Sequence, residues 1–294
     1  MRVLIVGCGY VGIPLGAELS KRGHEVFGLR RSRGEEREMS DAGIHSLSAD
    51  ITQPAELAKL PTGYEWVVNS IASSGGGAEA YRQVYLEGTR NLLNWLAASP
   101  PKKFVYASST SVYGQNDGLV VDESAPTEPE AATAKILVET EQLLGAVHLE
   151  KLFPAVILRV AGIYGPGRGY WLKQFLSGEA RLQGCGEKFI NMIHRDDLVG
   201  VIIASLEHGH AGEVYNAVDD EPVTQIALFQ WLASRLGRPL LAAAPETGSE
   251  ARKRRTTNKR VSNEKLRLQL GYEFKYPSFR EGYIAAIESL DRRV

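Results

Sequence analysis

Two features of this 294-residue chain could do chemistry: three glycines within its first dozen positions and, about a hundred positions later, a run of hydroxyls. Gly7, Gly9 and Gly12 stand in Gly7-Cys8-Gly9-Tyr10-Val11-Gly12, directly after the apolar run Val3 to Val6 and directly before Pro14 to Leu19, which reads as helix. Between a strand and a helix, glycines so spaced have separate tasks. Gly7 permits the tight turn, Gly9 lets the backbone close on a pyrophosphate, and Gly12 lets helix and strand pack closely. Tyr10 and Val11 complete the turn, and the helix start offers amide donors and a positive dipole end to phosphate oxygens. The implied ligand is a dinucleotide; the bland alternative, a glycine turn that binds nothing, is weakened by the strand immediately before it.

Other groups fall where such a ligand would extend. Arg30-Arg31-Ser32 follow Glu25 to Leu29, which reads as a second strand. An acidic residue there takes the ribose hydroxyls of NAD, whereas arginine accommodates a 2′-phosphate. NADP is therefore expected, with NAD the second choice and two solvated loop arginines the bland alternative. Asp50 and Ile51 follow a short strand, Ile44 to Ala49, where an adenine would lie. Ala72 and Ser73 open a polar loop after Trp66 to Ile71, Ala72 toward the cofactor and Ser73 toward the substrate. Ser108-Ser109-Thr110-Ser111 follow Lys103 to Ala107, and hydroxyls clustered at the end of a central strand suit a polar substrate.

These residues need a scaffold of alternating strands and helices. Tyr81 to Ala98 carries apolar residues at helical spacing and is stopped by Pro100-Pro101, so the strand, crossover helix, strand rhythm continues. The expected fold class is α/β, a Rossmann-type doubly wound parallel sheet with a smaller C-terminal substrate lobe. Residues 1–165 with 190–220 are assigned to the dinucleotide-binding domain and 166–189 with 221–294 to the lobe. Within the lobe, Tyr170 to Leu176 reads as helix, its aromatics more often core than ligand platform. Basic and acidic residues balance at 34 and 35, which gives no global attraction to nucleic acid or membrane. No apolar run approaches membrane-spanning length and no signal-peptide pattern opens the chain. Cys8 and Cys185 are too few for a disulfide framework, so a cytoplasmic setting is expected, with Cys8 a small filler. His194 near Asp196 and Asp197 lacks metal-ligand spacing; no metal is expected, and Asp197 reads as a capping or structural residue. The basic stretch Glu250 to Arg260 reads first as a solvated flap, then as a phosphate-holding cover, and last as a nucleic-acid patch.

Several blocks in order carry a family likeness: Ser108-Ser109-Thr110-Ser111-Val112-Tyr113-Gly114, Asp122-Glu123-Ser124 before Pro126, Arg159 with Gly162 to Arg168, Ile193 to Leu198, Gly212 to Asn216, and Ser262 to Leu266 with Leu270-Gly271-Tyr272. Together they resemble the extended short-chain dehydrogenase/reductase family, in particular its NAD(P)-dependent epimerase/dehydratase group. The resemblance implies hydride chemistry on a nucleotide-sugar or similar polar small molecule. It implies Ser109 as the hydroxyl on the reacting oxygen, Lys135 as the lysine that binds the nicotinamide ribose and serves catalysis, and Tyr164 and Arg168, with Ser73, Ser109 and Thr110, toward the substrate. A homodimer is compatible with it. The tyrosine four positions before the lysine is replaced by Ala131, the family's helical asparagine block reads Val84-Tyr85-Leu86-Glu87-Gly88-Thr89, and the glycine turn is one residue tighter than usual. These departures resemble the atypical branch. Tyr85, Tyr113, Thr133 and Tyr164 are the candidates for the missing hydroxyl, and a dinucleotide-binding sensor or scaffold without turnover is the alternative function.

Overall fold

A computed structural model describes the chain apart from Arg33, Glu35, Ser74, Gly76, Gln183 and residues 241–256 and 292–294. The strands are β1 (Arg2–Val6), β2 (Glu25–Arg30), β3 (Ile44–Ser48), β4 (Trp66–Asn69), β5 (Lys103–Ser109), β6 (Val120–Val121), β7 (Ala155–Val160), β8 (Gly162–Tyr164), β9 (Phe189–Ile190), β10 (Met192–His194), β11 (Val214–Ala217), β12 (Val223–Thr224) and β13 (Arg260–Val261). The α-helices are α1 (Gly12–Lys21), α2 (Glu36–Asp41), α3 (Pro54–Leu57), α4 (Gly77–Tyr81), α5 (Gly88–Leu96), α6 (Ala132–Lys151), α7 (Tyr170–Leu176), α8 (Arg195–His208), α9 (Gln225–Leu236), α10 (Glu264–Leu270) and α11 (Phe279–Asp291). Between α4 and α5 the chain is wound as a π-helix over Arg82–Glu87.

Seven strands form one parallel sheet in the order β11-β7-β5-β4-β1-β2-β3. Chain order reverses between β1 and β4, and in such sheets a crevice opens there beyond the strands' carboxyl ends. The apolar runs are buried on both faces. Val3 and Ile5 of β1 pack with Leu15 and Leu19 of α1, with α8 and with Leu266 and Leu270 of α10. Leu4 and Val6 pack with Leu92, Leu93 and Leu96 of α5 and Leu144 of α6. Successive side chains of a strand point to opposite faces, so each must find a covering helix.

A separate apolar cluster, built from α7, α9, α11 and the short strands around them, makes the smaller unit. Trp171 and Phe175 lie in its core, as expected of lobe aromatics, while Tyr170 is exposed. The unit does not follow the expected boundaries: Tyr164, Ile190 and Met192 belong to its core, whereas α10 packs on the main sheet. The basic stretch also differs from a solvated flap where it is described. Lys259 is buried with its ammonium donating to the Tyr113 carbonyl (2.9 Å), and β13 pairs with β6. Arg252, Lys253, Arg254 and Arg255 lie outside the described residues.

Candidate functional site

A cleft of about 690 Å³ runs along the carboxyl edge of the sheet. Its wall at β1 is the glycine turn. Gly7 has φ +84°, and a Cβ there would stand 2.8 Å from the backbone of Ile71, so the turn and the neighbouring strand leave room only for glycine. A Cβ on Gly12 would meet Gly7 O and Ile5 Cγ2 at 3.1 Å, which is the close helix–strand packing expected of it, and Gly12 does not line the cleft. Gly9 is different: the nearest atom to its Cβ would be Gly7 O at 4.0 Å. Packing therefore does not demand glycine at this position, which faces the cleft. No side chain caps α1 at Val11. An open glycine beside an uncapped helix start is a cradle that suits a pyrophosphate. Cys8 beneath the turn is fully buried, and burial pushes its thiol up to about 12, so it packs and does not react.

Beyond the turn, Arg30, Arg31, Ser32, Asp50 and Ile51 line one end of the cleft, and Tyr10, Val11 and Ala72 its middle. Tyr10 lies near two cations from the second half of the chain. The Arg168 and Arg195 guanidinium carbons stand 5.2 and 5.3 Å from its ring centroid. Arg168 lines the cleft, and Arg195 is paired with Asp196 at 2.9 Å. His194, just before α8, is buried with Nδ1 accepting from the Asp196 N–H (3.2 Å) and its ring 3.8 Å from that of Tyr276. Burial lowers its pKa to about 4, so the imidazole is neutral. Asp197 accepts from the Tyr272 hydroxyl and the Lys275 and Tyr276 amides at 2.7–2.9 Å, a structural clasp rather than a ligand.

At the other end stand Ser73, Ser108, Ser109 and Ser111, with Tyr81 and Tyr85. The Ser108 hydroxyl donates to Glu141 (2.5 Å), whose carboxylate is paired with Arg159 (2.8 Å). Arg159 also donates to the Tyr113 hydroxyl (2.8 Å), which donates to Asn216 (2.8 Å). This buried chain of bonds ties β5, α6, β7 and β11 together as the cleft floor. Ser109 Oγ accepts from the Ser111 N–H at 3.1 Å, which leaves its own proton free to face the cleft. Tyr85 Oη accepts from the Ser73 N–H (3.2 Å), and its ring lies 4.7 Å from that of Tyr81.

Besides Gly12, three expected site residues are elsewhere. Lys135 is exposed and does not line the cleft: α6 starts only at Ala132, so the lysine sits in its first turn, while Leu137 faces the cleft. Thr110 begins a short 3-10 turn and is also outside the lining. Tyr164 is buried in the smaller unit's core, its hydroxyl donating to the Ser278 carbonyl (3.2 Å) and its ring edge-on to His194. Of the candidates for the missing hydroxyl, Tyr113 is spent on the buried network, Tyr164 on the lobe, and Thr133 does not line the cleft; Tyr85 does. Sequence reasoning missed Tyr81 as a lining residue, whereas Ser108 belongs to the hydroxyl run expected at the substrate end. The one available signal was the spacing of Tyr81 and Tyr85, which brings them onto one helix face.

A family model described as "NAD dependent epimerase/dehydratase family" matches residues 3–217. Protein YeeZ of Escherichia coli (strain K12) is 27% identical over 94% of this chain and 96% of its own. A "3-diazoavenalumate denitrifying reductase" of Streptomyces sp is 29% identical over 96% of this chain and 99% of its own. Among solved structures, a "putative NAD-dependent epimerase/dehydratase" from Methylobacillus flagellatus superposes with a TM-score of 0.79 at 33% identity, covering 99% of this chain and 98% of that one.

Proposed function

Because the chain belongs to the NAD dependent epimerase/dehydratase family, we propose that it is an NAD(P)-dependent oxidoreductase acting on a nucleotide-sugar or similar polar substrate, with NADP(H) preferred. The observation that carries this reading is the single cleft that joins Arg30, Arg31 and Ser32 to the open glycine turn and to Ser73 and Ser109. Its lining suits the division of labour in a dinucleotide site, with adenosine at β2 and β3, pyrophosphate at β1, and the reacting end at β4 and β5. When bound, the cofactor supplies or takes the hydride. The chain's residues do the rest. Gly7 and Gly9 shape the phosphate cradle, Asp50 and Ile51 border the adenine, Ser109 donates a hydrogen bond to the reacting oxygen, and Arg168 binds an anionic part of the substrate. The similar Streptomyces chain, named as a reductase, supports the reaction class.

A second reading, a dinucleotide-binding sensor that does not turn over, is favoured by Ala131 and by the exposed Lys135. Titration of the purified protein with NADPH and NADH, followed by cofactor consumption against a panel of carbonyl compounds and nucleotide sugars, separates the two. A charge-assisted contact to a 2′-phosphate contributes about 1.5–3 kcal/mol. Arg30→Ala and Arg31→Ala are therefore expected to weaken NADPH binding about tenfold or more and to leave NADH unchanged. Equal loss for both cofactors, or none, removes the NADP assignment; binding without consumption of any panel member supports the sensor.

A further inference from the structure

Reduction of a carbonyl needs a proton at oxygen as well as a hydride at carbon, and Ala131, just before α6, stands where the family pattern has a phenol. Among the described residues, Tyr10, Tyr81 and Tyr85 are the phenols that line the cleft. Tyr10 is at the glycine-turn end, with two arginines against its ring. The serines at the substrate end are far weaker acids, and Ser108 is committed to Glu141. Tyr85 stands apart in how it is fixed. It belongs to the π-helical segment Arg82–Glu87, a form that occurs mostly as single turns and frequently at functional sites. The segment is clamped to α6 by the two-pronged pairing of Arg82 with Glu139 at 2.6 and 2.9 Å. The Tyr85 ring is nine-tenths buried, and its oxygen is positioned by the Ser73 N–H, which occupies one lone pair and leaves the proton to be given.

Resting on the oxidoreductase reading above, we propose that Tyr85 is the proton donor of a reductive reaction and that Tyr81, half-buried beside it, passes a replacement proton in from solvent. A reduced dinucleotide held in the cleft would supply the hydride to the carbonyl carbon and be oxidised, and Tyr85 would give its proton to the carbonyl oxygen. The electron pair of the O–H bond stays on the phenolate, stabilised by the Ser73 N–H, until water restores the proton through Tyr81. Burial, reinforced by Tyr81, pushes the Tyr85 hydroxyl up to about 12 despite the Ser73 amide. At neutral pH it is therefore an acid with its proton in place, suited to reduction rather than to removing a proton from an alcohol.

The test compares the wild type with Tyr85→Phe and Tyr81→Phe, each checked by thermal unfolding and by NADPH fluorescence titration before NADPH oxidation is followed against the carbonyl panel. Tyr85→Phe is expected to lower kcat at least 100-fold, with KM and NADPH affinity within about twofold of the wild type. Tyr81→Phe is expected to lower kcat less, by about tenfold. Should the phenylalanine variant fail to fold, Tyr85→Met gives the same comparison. A Tyr85→Phe kcat within threefold of the wild type overturns the proposal and leaves the oxidoreductase reading standing, and so does loss of NADPH binding, which would make Tyr85 part of the cofactor wall. A wild type that binds NADPH but reduces nothing overturns both.

Discussion

Gly7 and Gly9 stand two residues apart in one turn, yet they tolerate side chains very differently. At Gly7 both the backbone angle and the 2.8 Å approach of Ile71 oppose a methyl group. Gly7→Ala is expected to destabilise the fold by about 1–3 kcal/mol, read as a lowered urea midpoint. At Gly9 a side chain meets open space, so Gly9→Val is expected to leave stability within about 0.5 kcal/mol while abolishing NADPH binding in the fluorescence titration. Retained binding would show that the open glycine serves chain geometry alone. The contrast was only half legible in the sequence. Glycine types and spacing announced the turn, but which of them guards a void and which a wall depends on Ile71, more than sixty positions away.

Elements were legible to different depths. The strands of the parallel sheet announced themselves because burial on both faces writes a continuous apolar run, and Val3 to Val6 and Trp66 to Val68 needed no partner to be recognised. The π-helical turn did not, because a widened turn is fixed by what packs on it, here α6 through Arg82 and Glu139. For the same reason Lys135 was misplaced: motif spacing gives a residue's position in the chain but not where its helix starts or which way it faces. The Ser108–Glu141–Arg159 chain joins three elements that sequence reading treats singly. Glu141→Ala leaves a buried guanidinium without its carboxylate and is expected to cost about 3–5 kcal/mol in urea unfolding. The double variant Glu141→Leu, Arg159→Met is expected to cost less than the single one, because no charge is then left uncompensated. An equal or greater cost for the double variant would mean that shape, not charge, decides this layer.

On the scale of the molecule, the two packed units meet titratable groups that the sequence could not rank. His194, beside Asp196 and Arg195 and stacked on Tyr276, is neutral in the fold with its pKa lowered to about 4 from an ordinary 6.5. Between those values the unfolded chain binds more protons than the folded one. Stability is therefore expected to rise with pH across that window and to fall as the pH drops from about 6.5 toward 4. His194→Asn keeps an acceptor for the Asp196 amide at the start of α8 and removes the titration. Urea midpoints measured from pH 4 to 7 should be flatter for the variant than for the wild type, and parallel curves would assign the slope to other groups.

Tyr10 is contributed by the glycine turn, but the two cations near its ring come from Arg168 and Arg195, more than 150 positions later. Any anion that draws Arg168 away from that ring alters the surroundings of the turn, and any ligand seated on the turn alters what Arg168 has left to offer. The free energy of that exchange is a single quantity. Whatever factor it adds to or takes from the affinity at one end of the cleft, it must add to or take from the other by the same amount.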